Sequence, residues 1–156
     1  MVIVSEDLSK KAHHTEEKPV SVSVFFPCYN EQDNVSATVK TAVDLLQGIN
    51  ADYEIIVVDD GSRDDTKKIA EQLSQENNRI KVVSHPVNLG YGAALQSGFK
   101  AASKELVFYT DGDGQFDIKE MLPLLELIKE CDIVSCYRLK RQDNFIRRLN
   151  AWCWTR

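Results

Sequence analysis

The chain has 156 residues, enough for one domain with a sizeable core and hardly enough for two. Its 43% hydrophobic and 28% charged residues are ordinary for a soluble globular domain, and a net charge of −5 argues against a general nucleic-acid binder. The charge is uneven: Arg138, Lys140, Arg141, Arg147, Arg148 and Arg156 stand against Asp143 alone, so residues 138–156 are net +5 and the rest is near −10.

In chain order, residues 1–19 read as a polar leader with neither the apolar core of a signal peptide nor the length of an anchor. "VSVSVFF" (20–26) predicts a first strand ending at Pro27. From Asn30, Val35, Val39, Val43 and Leu46 keep helical spacing, with Glu31 and Asp33 suited to the helix start. "EIIVVDD" (54–60) predicts a buried strand cut off by Gly61, and Ser62, Asp64 and Asp65 offer capping groups for a helix carrying Ile69, Ala70 and Leu73. A third strand is expected over "IKVVSH" (80–85) and a small-residue helix over Gly90–Ala102. "ELVFYT" (105–110) predicts a fourth strand and Ile118–Glu130 a leucine-rich helix that tolerates Pro123 early. "DIVSCY" (132–137) predicts a fifth strand. The alternation specifies an α/β fold, a mostly parallel sheet with helices on both faces. The expected organisation is a leader over 1–19, a domain over 20–143 and, from 144, the start of an amphipathic helix, with the chain ending as though cut.

Cys28, Cys131, Cys136 and Cys153 form no C-x-x-C pair and have no nearby His, so neither a zinc site nor a disulfide framework is expected. The sequon "NVS" at Asn34–Ser36 carries little weight without a secretion signal.

In open parallel sheets ligands bind beyond the carboxyl ends of the strands. There this sequence places "PCYNE", "DDGS", "HPVNLGYG", "DGDGQ" and "YR". Asp111 and Asp113 are two apart, so an extended backbone aims both carboxylates one way, and with the Gln115 amide oxygen they offer hard oxygen ligands to Mg²⁺ or Mn²⁺. Taken alone, the stretch is more simply a solvated acidic turn. An EF-hand fits badly, because Phe116 stands where the invariant Gly belongs and Leu122 where the terminal Glu belongs. Asp59 and Asp60 are either ordinary turn residues or acceptors for a nucleotide base or ribose; Pro27, Tyr29 and Glu31 are either a turn and cap or a base-binding segment. Gly90 and Gly92 serve close helix packing or admit a ligand backbone. Neither G-x-G-x-x-G after the first strand nor a Walker pattern is present.

Together, and in this order, "FFPCYNE", "EIIVVDDGSRDDT", "NLGYGAALQSGF" and "TDGDGQFD" resemble the family 2 glycosyltransferases of GT-A fold, in particular the dolichyl-phosphate mannosyltransferase and polyprenyl-phosphate glycosyltransferase group, over roughly residues 20–150. The resemblance implies a metal-dependent, inverting transfer of a sugar from a GDP- or UDP-sugar to a polyprenyl phosphate. It assigns Pro27, Tyr29, Glu31, Asp59, Asp60 and Gly90 to the donor, Asp111, Asp113 and Gln115 to metal and diphosphate, and Arg138 to the donor phosphates. One departure, Gly112 where the group often has Ala, is expected to matter little.

A metal would neutralise charge on the departing diphosphate, with Arg138 adding to this. A lipid phosphate is anionic near neutral pH and attacks without a general base, and the sequence offers no compelling base after residue 117. Arg147 or Arg148 is placed to meet the acceptor phosphate. The tail, if helical from Asn144, sets Phe145, Leu149 and Trp152 on one face, suited equally to a bilayer surface on the cytoplasmic side or to packing on its own domain. The competing readings are a family 2 enzyme with a saccharide acceptor and a non-catalytic, receiver-like or nucleotide-binding regulatory domain. Oligomeric state is left open.

Overall fold

The structure, a computed structural model, describes residues 19–136. It contains four parallel strands, β1 (Ser21–Cys28), β2 (Asp52–Asp59), β3 (Ile80–Ser84) and β4 (Leu106–Tyr109), in the order β3-β2-β1-β4. The helices are α1 (Val35–Gly48), α2 (Thr66–Glu76), α3 (Tyr91–Ala101) and α4 (Met121–Leu127), the last preceded by a 3₁₀ turn over Ile118–Glu120. The chain divides into two compact units at Lys119/Glu120, and the whole sheet lies in the first.

β1 and β2 are the inner strands, buried on both faces, which explains their apolar stretches Val24–Phe26 and Ile55–Val58. On one face Phe25, Ile56 and Val58 pack with Ala94 of α3, partly covered by Val83 and Leu95. Gly98 lets α3 lie directly on the Phe25 ring; a Cβ there would come within 2.3 Å of it. Val24, Phe26, Ile55 and Val57, of opposite parity, are also fully buried. α1 and α2 pack on each other and on the sheet, and their buried residues Val35, Val39, Ala42 and Leu46, and Ala70 and Leu73, recur at helical spacing.

Pro27 sits inside β1, where an end was expected. Phe25 turns its carbonyl to the β4 side, accepting from Thr110, and Cys28 turns its own to the β2 side, accepting from Asp60. Pro27 therefore directs its missing N–H toward β4, beyond the last β4 pair at Phe25–Tyr109, and no ladder bond is lost.

Two expectations are corrected. The helix predicted over Ile118–Glu130 is α-helical only over Met121–Leu127, with Pro123 in its first turn. Residues 132–136 of the predicted fifth strand form no strand: they pair with no other segment among the described residues, and Ile133 is 82% exposed. An apolar run without a partner or a buried face does not hold strand geometry. Tyr137 lies outside the described residues, as do the leader to residue 18 and the tail helix expected from Asn144.

At the amino end of the sheet a buried carboxylate ties β1, β2, β3 and the segment after α3 together. Glu54 Oε1 accepts from Ser23 Oγ at 2.6 Å and from the Ser103 N–H at 2.6 Å, and Oε2 accepts from Lys81 Nζ at 2.5 Å. Burial alone would raise this carboxyl, but the bonds from Lys81, Ser23 and Ser103 outweigh it and hold it at about 2. The depressed value means a stabilising contribution fully present above the usual 4.5 and lost as pH falls through about 2. Glu54→Gln is expected to cost about 3 kcal/mol in urea unfolding at pH 7, with the gap to the parent chain closing between pH 4.5 and pH 2.

Candidate active site

The strand order reverses at β1: β2 and β3 are added on one side, β4 on the other. The carboxyl ends of β1 and β4 therefore flank a topological switch point, the usual crevice for a ligand in an open α/β sheet. The loops after all four strands lie at this edge of the sheet.

The loops after β1 and β2 are laced by reciprocal side chain to backbone bonds. The Asn30 N–H donates to Ser62 Oγ at 3.0 Å, and the Arg63 N–H donates to Asn30 Oδ1 at 2.9 Å. The Glu31 N–H donates to Thr66 Oγ1 at 2.7 Å, the Gln32 N–H to Asp64 Oδ2 at 3.2 Å, and the Asp65 N–H to Gln32 Oε1 at 3.1 Å. Asp64 also accepts from the Thr66 N–H at 3.0 Å, opening α2 as the sequence suggests, although Asp65 is the residue at the cap position. Asn30 adopts φ 57, a conformation that Asn tolerates. This leaves the Tyr29 ring 39% exposed and half-buries Glu31, whose Oε2 accepts from Asn34 Nδ2 at 2.9 Å.

Asp59 and Asp60 are both buried, with different partners. Asp59 Oδ1 accepts from the Ser62 N–H at 3.1 Å. Asp60 holds the loop after β3: Oδ1 accepts from the Leu89 N–H at 2.8 Å and lies 2.7 Å from His85 Nδ1, and Oδ2 accepts from the Gly90 N–H at 2.9 Å. Burial works to raise this carboxyl, yet these bonds keep it below the usual carboxylate range. His85 Nε2 reaches Ser97 Oγ at 2.9 Å, so a line of bonds runs from α3 through the imidazole to Asp60. The connectivity Ser97–His85–Asp60 is that of a proton relay, but here the same carboxylate is shared by two main-chain N–H groups, an arrangement that fixes a loop. The loop lies on Gly61, whose φ is 69 and whose added Cβ would fall 2.3 Å from the Val87 carbonyl carbon.

Beyond β4, Gly112 is buried and Asp111 is exposed. Tyr91 donates its hydroxyl to Asp111 Oδ1 at 3.0 Å, and Asp113 Oδ1 accepts from the Gln115 N–H at 2.9 Å, which closes the turn. Gly114 has φ 70. Partial desolvation and the bond to Asp111 push the Tyr91 phenol up to about 12, so it stays a donor.

Beneath these loops lies the Cys28 thiol. Burial, followed by the charges of Glu31, Asp59, Asp111 and Asp113, pushes it up to about 12. Those four carboxylates, from three separate parts of the chain, thus act electrostatically on a single neutral sulfur. Glu31, Asp59, Asp111 and Asp113 lie at the carboxyl ends of β1, β2 and β4; Asp60 and Gly90 join one another in the loop after β3; Arg138 and Arg147 lie outside the described residues. Cys28, Asn30, Thr66, His85 and Tyr91 were not singled out for these contacts by sequence reasoning; the small polar types in "YNE" and "DDGSRDDT" were the available signal.

Gly112 packs closely on the thiol. A Cβ there would stand 2.4 Å from Cys28 Sγ and 3.4 Å from the Pro27 carbonyl oxygen, so alanine requires the Cys28 side chain to shift. Gly112→Ala is expected to destabilise the chain by about 1–3 kcal/mol, and by less than about 1 kcal/mol in a Cys28→Ala background, measured as a double-mutant cycle in urea.

Residues 23–154 match the glycosyl transferase family 2 profile. The chain is 35% identical over 129 residues to the undecaprenyl-phosphate 4-deoxy-4-formamido-L-arabinose transferase of Edwardsiella ictaluri, covering 81% of this chain and 40% of the relative. It is 37% identical over 112 residues to glycosyltransferase AglD of Haloferax volcanii, covering 70% of this chain and 18% of that protein. It thus spans about two fifths of the first relative and less of the second. Among solved structures, the mannosyltransferase PcManGT of Pyrobaculum calidifontis, in complex with GDP-Man and Mn²⁺, superposes with a TM-score of 0.64 at 23% identity, over 85% of this chain and 39% of that one. The likeness shows the GT-A fold. With nearly all of its length matched by the family profile, the chain belongs to glycosyl transferase family 2.

Proposed function

We propose that this chain carries the donor-binding site of a metal-dependent, inverting glycosyltransferase that moves a sugar from a GDP- or UDP-sugar to a polyprenyl or dolichyl phosphate. The observation that carries the reading is the placement of Glu31, Asp59, Asp111 and Asp113 at the carboxyl ends of β1, β2 and β4, beside the switch point of the sheet. Likeness to a transferase named for undecaprenyl phosphate supports the acceptor, and likeness to a mannosyltransferase bound to GDP-Man and Mn²⁺ supports donor and metal.

In this reading Pro27, Tyr29, Glu31 and Asp59 bind the nucleoside, with the half-exposed Tyr29 ring as a packing surface. Asp60 and Gly90 act from the supporting layer, because the Asp60 carboxylate is engaged with His85, Leu89 and Gly90. Asp111, Asp113 and Gln115 would hold Mg²⁺ or Mn²⁺ together with the donor diphosphate. The donor set is of the right kind: the hard oxygens of Asp111, Asp113 and Gln115 stand on one turn, which the Gln115 N–H closes by donating to Asp113 Oδ1. Such an ion is commonly held by one or two carboxylates plus substrate phosphates. When bound, it neutralises charge on the leaving diphosphate.

The reaction is a single displacement. An oxygen of the acceptor phosphate attacks the anomeric carbon as the bond to the diphosphate oxygen breaks, and an already anionic phosphate has no proton to surrender. Arg138 is assigned to the donor phosphates and Arg147 to the acceptor phosphate. No helix among the described residues is long and apolar enough to cross a membrane. We place the protein at the membrane surface on the cytoplasmic side, the basic, aromatic segment after residue 143 facing the lipid.

Calorimetric titration with Mn²⁺ present should give binding of GDP or UDP, and Asp113→Ala should weaken it at least about tenfold. Failure of the parent chain to bind either nucleotide removes the proposal. With the matching labelled nucleotide sugar, label should pass to polyprenyl phosphate in vesicles; transfer to free saccharides instead would favour the other acceptor class.

A further inference from the structure

The acids after β2 and those after β4 are some fifty residues apart, yet a continuous set of bonds joins them. Asp60, buried, grips the Leu89 and Gly90 N–H groups at 2.8 and 2.9 Å. His85, bonded to Asp60 on one side and Ser97 on the other, fixes the same loop to α3. The next residue, Tyr91, is the first of α3, and its hydroxyl donates to Asp111 Oδ1 at 3.0 Å. Asp111 itself is exposed and sits on a turn containing Gly112 and the positive-φ Gly114, so little else restrains its side chain.

We propose that Tyr91 is a positioning residue for the cation site: its hydroxyl sets the orientation of the Asp111 carboxylate and couples that carboxylate to the loop anchored on Asp60. The inference rests on the metal reading above. A phenol donates to an ionised carboxylate, which is the form that binds a cation, so the bond and the ion are compatible. With Oδ1 accepting from Tyr91, Oδ2 is the oxygen that no other described side chain engages. A ligand held in one orientation before binding loses less freedom on binding, and outer partners of metal ligands affect affinity for this reason.

The test is titration of Mn²⁺ into the chain with saturating GDP or UDP, free Mn²⁺ being read by electron paramagnetic resonance. Tyr91→Phe keeps the ring and removes the hydroxyl. Expected is about tenfold weaker Mn²⁺ binding, with the melting temperature and metal-free nucleotide affinity unchanged. In an Asp111→Asn background the same change should alter Mn²⁺ affinity by less than about twofold, the mark of a coupled pair. Mn²⁺ affinity in Tyr91→Phe within about twofold of the parent overturns the inference and leaves the metal reading intact. A matching fall in melting temperature or in metal-free nucleotide binding overturns it in favour of a purely structural role. A parent chain that binds no Mn²⁺ with either nucleotide removes the metal reading and this inference with it.

Discussion

The architecture of the site depends on one buried carboxylate. Asp60 stands where β2 ends, and its two oxygens collect the Leu89 N–H, the Gly90 N–H and His85. Main-chain N–H groups in a loop carry a desolvation penalty if left without acceptors, and an ionised carboxylate is among the strongest acceptors available. The loop is thereby drawn down onto Gly61, where no larger residue leaves room for the Val87 backbone. The start of α3, and Tyr91 with it, is set by this contact.

Most of the bonds that hold the first two loops come from residues other than the candidate site acids, although Asp59 and Asp113 each also hold a main-chain N–H. Asn30, Gln32, Ser62, Asp64 and Thr66 satisfy one another's backbones across the first two loops. Glu31, Asp59, Asp111 and Asp113 then act on a small neutral thiol from the ends of three strands. A divalent ion bound with a substrate diphosphate would place positive charge among these acids. Affinity for the ion and affinity for the diphosphate are then two aspects of the same electrostatic requirement.

The sequence disclosed most of this framework, because parallel inner strands advertise themselves. "EIIVVDD" and "VSVSVFF" are dominated by β-branched and aromatic residues, and the segment between them carries the helical period. The motif residues were legible as types at the ends of strands. Their partners were harder to see. The Tyr91–Asp111 bond joins two separate stretches of sequence, and the tight fit between Gly112 and Cys28 depends on a distance that no spacing rule contains. Asp60 illustrates the limit: an Asp-Asp-Gly turn suggests two equivalent acids, whereas burial and three donors give one of them a supporting task. The fifth-strand expectation failed for a related reason. Composition reports a tendency to extend, while a strand exists only beside another strand.

The placement of β4 has a consequence for how the polypeptide is made. β1, β2 and β3 become neighbours in the order of their synthesis, each through one helix, but the other side of β1 receives its partner only once Leu106 has left the ribosome. Until then the strand bearing Val24 and Phe25 has an open, strongly apolar margin in a nascent chain. An unpaired strand edge of that kind invites mispairing with other chains.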